Sequence, residues 1–110
     1  MFINGQWIKS DKTFGVINPA TGEEIGRVVD GGQAEAAATI DAAHAAQKSW
    51  QATTAYERSA ILYKAWQLMT EQHEELAQLM TREQGKPLKA SRNEVKYAAD
   101  FLLWLSLIHI

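Results

Sequence analysis

Few side chains in this sequence have a type and spacing that could do chemistry. The histidines come first, because a protein-held metal needs several His, Cys, Asp or Glu side chains converging on one point. Of the three histidines, His44 and His73 lie far apart with no ligand-spaced partner. Both read as solvent-facing helix residues. The acid pair Glu74-Glu75 fits the first turn of a helix, where carboxylates favour the dipole, better than a catalytic pair. Ser59, Ser91 and Ser106 have no base placed by a motif. "QGKP", Gln84 to Pro87, carries one glycine and one lysine and reads as a helix end followed by a restart. No Gly-x-Gly-x-x-Gly or Walker pattern offers a phosphate cradle. The chain has no cysteine, so it holds no disulfide, no thiolate metal site and no cysteine nucleophile. Judged by residues alone, it carries no active site.

Composition narrows the class. The 110 residues suffice for one small domain. A hydrophobic content of 46% with 22% charged is that of an ordinary soluble protein. The net charge of −2 and pI near 5.9 argue against a nucleic-acid partner, which would need clustered Lys and Arg. The nearest approach to a cluster, Lys86 to Arg92, is followed at once by Glu94. The N-terminus lacks a secretory pattern, and no run reaches the roughly 18 apolar residues of a membrane helix. A cytoplasmic chain with no membrane partner is expected.

Two hairpins and four helices would have to position whatever site exists. "FINGQWI" sets Asn4-Gly5 between two apolar pairs, as a type I′ turn requires. "TFGVIN" and "EEIGRVV" flank "NPATG", where Pro19, Asn18 and Gly22 each favour a turn. From about Gln33 the apolar period changes to 3.6. A first helix presents Ala36, Ile40, Ala43, Gln47 and Trp50 on one stripe. A second opens on the capping box Thr54–Glu57 and presents Ile61, Leu62, Ala65, Leu68 and Met69. A third presents Leu76, Leu79 and Met80 and stops at Gly85. The fourth begins near Pro87, with the stripe Val95, Ala98, Phe101, Leu102 and Leu105. No run of buried parallel strands is present to receive these faces.

Taken together, "FINGQW", "INPATGEEIGRV", "AAHAAQKSWQATTAYERSAILYKAWQLM" and "LAQLMTREQGKPLKASRNEVKYAADFLLW" resemble the opening of an aldehyde dehydrogenase. They occur in that family's order and at its spacing, over residues 2 to 104. "LMTREQGKPL" is most similar to the succinate-semialdehyde dehydrogenase branch. The resemblance implies an α/β parent with a Rossmann-like NAD(P) domain, a catalytic domain and a small β oligomerisation domain. It implies oxidation of a small aldehyde, through a cysteine thiohemiacetal, with NAD or NADP as cofactor. The parent would be a homo-oligomer, dimer or tetramer. The family's cysteine, general-base glutamate, oxyanion asparagine and nucleotide-binding glycines all lie downstream of this region. The chain is therefore expected to be catalytically inert, with no cofactor bound.

One family site falls inside the sequence. Several aldehyde dehydrogenases hold a structural monovalent cation, to which the backbone carbonyls of Val16 and Ile17 and the carboxylate of Glu83 would correspond. Many relatives carry Asp at the last position, so Glu83 is a departure. Carbonyl and carboxylate oxygens are the hard ligands such an ion takes. The end of the chain, "FLLWLSLIHI", divides under the same comparison. Residues 1–104 read as the opening of the NAD(P)-binding region. Residues 105–110 match the translation of CTG-TCT-CTT-ATA-CAC-ATC, the end of a transposon used to prepare sequencing libraries. An alternative class is a stand-alone, non-catalytic helical interaction module derived from the same family.

Overall fold

The computed structural model describes residues 1–108. Four strands come first: β1 (Phe2–Ile3), β2 (Gln6–Trp7), β3 (Thr13–Ile17) and β4 (Glu24–Val29). Four helices follow: α1 (Gln33–Ala52), α2 (Ala55–Glu71), α3 (His73–Gln84) and α4 (Leu88–Leu107). The chain divides into two units. One comprises Met1–Ile17 with Glu23–Ala52, the other Asn18–Gly22 with Thr53–Ile110.

In the first unit both hairpins form where turn chemistry places them. Asn4 and Gly5 have φ of 49° and 76°, the paired positive values of a type I′ turn. The turn sets Phe2 opposite Trp7, with ring centroids 5.2 Å apart and edge to face. β3 pairs antiparallel with β4, and the register shifts between Val16 and Ile17. Ile25 is the extra residue, since Val16 faces Gly26 and Ile17 faces Glu24. Helix α1 starts with Glu35 Oε2 accepting from the Gly32 N–H at 2.8 Å. That bond holds the Glu35 carboxyl below its ordinary range.

The alanine-rich stripe of α1 exists, but it stays open. Ile40 is 68% exposed and Trp50 44%. Two two-stranded ribbons offer too little surface to cover a helix of 20 residues.

The second unit packs α2 and α3 on α4. The predicted capping box is present in full. Thr54 Oγ1 accepts from the Glu57 N–H at 3.2 Å, and Glu57 Oε2 accepts from the Thr54 N–H at 2.7 Å. Helix α3 stops at Gly85, whose φ is 71° and whose N–H donates to Thr81 O at 2.9 Å. Pro19 packs against the same glycine. A Cβ built on Gly85 would lie 2.8 Å from Pro19 Cγ. Gly85→Ala therefore carries two penalties, a left-handed backbone and an overlap with a rigid ring. It is expected to cost about 2–3 kcal/mol at the α3–α4 junction, read as a loss of far-ultraviolet ellipticity.

The inner face of α4 differs from the predicted stripe. Ser91, Val95, Ala99 and Ser106 are the buried residues, against Ala77 of α3. Ala98, Phe101 and Leu105 are exposed. So are Ile61 and Leu68 of α2 and Leu79 of α3. The reason is steric. Small side chains let α2 and α3 approach α4 closely, and the bulky residues of α4 fall on its other side. Its buried hydroxyls are satisfied: Ser91 Oγ lies 2.9 Å from Thr81 Oγ1, and Ser106 Oγ donates to Leu103 O at 2.6 Å. Among the described residues, no helix is long and apolar enough to cross a membrane.

Candidate functional site

The side chains singled out for chemistry take structural places. His44 is exposed on α1 and lines a shallow groove with Ile40, Ala43 and Trp50. His73 departs from its predicted solvent-facing role. It is half-buried, and its Nε2 lies 2.7 Å from the Arg92 carbonyl oxygen. Arg92 in turn grips Glu74, donating from Nε to Oε2 at 2.8 Å and from Nη2 to Oε1 at 2.7 Å. Gln78 Nε2 donates to the same carboxylate at 3.0 Å. Arg92 first and Gln78 second pull the Glu74 carboxyl down to about 2. A carboxylate held this way stays ionised and accepts hydrogen bonds, so it is poorly suited to shuttle protons.

Glu74 thus ties the first turn of α3 to α4. Sequence reasoning found its helix-dipole role and missed its partner. Eighteen residues separate Glu74 from Arg92, and no local pattern links them. Lys86 pairs with Glu94, which ties the start of α4 to its second turn. Ser91 and Ser106 are wholly buried in helix packing, and Ser59 is half-buried. Among the described residues, no group of three or more His, Cys, Asp or Glu could hold a metal ion.

The cation residues are placed as follows. Val16 and Ile17 sit on β3 at the register shift, where a bulge disrupts the ladder. Glu83 is exposed in the last turn of α3. The first two belong to one unit and Glu83 to the other. These oxygens are of the right chemical kind for a hard cation. A dinucleotide finds no such fit. Each sheet is a two-stranded antiparallel hairpin, and no glycine-rich turn leads from a parallel strand into a helix.

The sequence as a whole decides the family. The model of the aldehyde dehydrogenase family matches residues 7–107. The chain belongs to that family. It is 49% identical over 107 residues to a glutarate-semialdehyde dehydrogenase of Pseudomonas putida, which covers 96% of the chain and 22% of the relative. It is 44% identical over 106 residues to the NADP(+) succinate-semialdehyde dehydrogenase of Escherichia coli, covering 94% and 22%. Among solved structures, the succinate-semialdehyde dehydrogenase of Burkholderia pseudomallei superposes with a TM-score of 0.91 at 44% identity, over 96% of this chain and 22% of that one. The lactaldehyde dehydrogenase of Escherichia coli gives 0.92 at 34%, over 99% and 23%. The hairpins and helices are thus a stretch of the aldehyde dehydrogenase fold. This family member spans about a fifth of the length of the relatives it matches.

Proposed function

We propose that the chain is the opening portion of an NAD(P)-dependent semialdehyde dehydrogenase, and that this portion catalyses nothing by itself. One observation carries the reading: nearly the whole chain aligns with a fifth of several semialdehyde dehydrogenases and contains no cysteine. The parent would oxidise a small aldehyde bearing a distal carboxylate, succinate semialdehyde foremost. NAD(P), when bound to the parent, would accept the hydride. This chain's contribution would be helices that close around the rest of the enzyme. The parent would be a cytoplasmic homo-oligomer. Residues 1–104 are the family's part, and residues 105–110 are translated adapter, the last two lying outside the described residues.

The deciding experiment is to amplify and sequence intact source DNA beyond codon 104. The expected result is an open frame that continues into a family sequence with a catalytic cysteine. A stop codon at the present position in intact DNA would overturn the reading and favour the stand-alone module.

The cation belongs to the same proposal. The carbonyls of Val16 and Ile17 and the carboxylate of Glu83 would hold it in the parent, with a further ligand from outside this chain. Crystals of the parent soaked in rubidium are expected to show an anomalous peak within coordinating distance of the Ile17 carbonyl and the Glu83 carboxylate. A flat map there would remove the site.

A further inference from the structure

The outward side of α4 has a pattern of its own. Tyr97, Phe101, Trp104 and Ile108 follow one another at spacings of four, three and four. That alternation keeps side chains in one line along a helix and marks a seam that meets another helix. All four are open, at 63%, 50%, 65% and 50% exposure. Tyr97 and Phe101 already pack edge to face, with centroids 4.7 Å apart. Leu105 and Leu107 flank the line and are exposed as well. The opposite side of the helix, with Val95 and Ala99, is engaged within its own unit. Helix α4 thus has one satisfied face and one unsatisfied face.

We propose that this outward face is a helix-pairing surface, and that its occupant is α4 of a second copy of the chain. Three points support a copy. The first is area. Three aromatic residues and three aliphatic ones, each about half exposed, offer roughly 500–650 Å² per copy. A symmetric pair then buries roughly 1,000–1,300 Å², which clears the ~1,000 Å² needed by a specific interface. The second is charge. Asp100 is the one ionisable residue between Tyr97 and Ile108, and Lys96 already pairs with it at 2.5 Å. Pairing leaves no lone charge buried. The third is self-complementarity. In an antiparallel pair about a two-fold axis, Phe101 meets Trp104 of the copy and Tyr97 meets Ile108 of the copy. A large ring thus meets a different neighbour each time, and the helix dipoles oppose.

Sedimentation of the purified chain across low to high micromolar concentration tests this. The expected result is a monomer–dimer equilibrium. Phe101→Glu and Trp104→Glu should each weaken association at least tenfold without loss of ellipticity, because neither side chain packs inside its own unit. Trp104→Gln, a milder change that keeps helix propensity, should weaken it in the same direction. Ile40→Glu, on the open face of α1, should leave the dimer intact. A monomer at every concentration would overturn the proposal and leave the face to a different occupant. So would association that survives both glutamate variants, or open-ended polymers in place of dimers. The test concerns α4 alone, so its failure would leave the proposed parentage of the chain untouched.

Discussion

Heated at low micromolar concentration, where copies are apart, the chain is expected to lose ellipticity gradually, with no sharp midpoint. Its apparent van't Hoff enthalpy should fall below half of the roughly 75 kcal/mol usual for a cooperative domain of this length. The argument rests on what is buried. Among the described residues, the fully buried apolar side chains are Ala77, Val95 and Ala99. None is large. Ordering each residue costs about 1–2 kcal/mol of backbone entropy, and apolar burial returns only about 25 cal/mol per Å². Two alanines and a valine cannot offset that for four helices. Trp7, Tyr56, Ile61 and Trp104, which would anchor an ordinary core, face outward. The helices are held mainly by local devices: the Thr54–Glu57 box, the Gly85 stop and the Arg92–Glu74 clamp. Such devices give helicity without a single concerted transition. A sharp melt in a demonstrably monomeric sample, with equal calorimetric and van't Hoff enthalpies, would contradict this account.

What could be read in advance divides along the same line. The Asn4-Gly5 turn, the Asn18–Gly22 turn, the Thr54 cap and the Gly85 stop each depend on residues within a few positions of one another. The backbone conformation they need is written in those residues, and all four form where they were expected. The inward side of α4 is a different kind of question. Both its faces are apolar, so periodicity alone does not say which one packs. Side-chain size decides: Ser91, Ala99 and Ser106 permit close approach and Phe101 does not. The roles of His73 and Arg92 depend on a partner 18 or 19 residues away, and no local rule reaches that far. For the cation residues, Val16, Ile17 and Glu83, the residue types alone carry no signal. Only the likeness to a family singles them out.

Supplied with succinate semialdehyde and either NAD+ or NADP+, the chain is expected to form no reduced nicotinamide above the buffer rate. In the family's chemistry a cysteine thiolate adds to the aldehyde carbonyl, and the adduct then gives up hydride and is hydrolysed. With no cysteine, the carbon–sulfur bond that begins the sequence has no sulfur. Serine is no substitute here. Ser91 and Ser106 are sealed in helix packing, and an unassisted hydroxyl is too weakly acidic to attack at neutral pH. Hydride loss from the uncatalysed aldehyde hydrate would need an oriented nicotinamide, and no cradle orients one. The assay needs one safeguard. Escherichia coli has its own 44% identical relative, so material made in that host can carry a contaminating dehydrogenase. Iodoacetamide separates the two cases. It leaves the mass of a cysteine-free chain unchanged, and it abolishes turnover that depends on a catalytic thiol. Turnover that scales with the purified chain and survives iodoacetamide would overturn the proposed inertness and require a nucleophile that this fold has not been seen to offer.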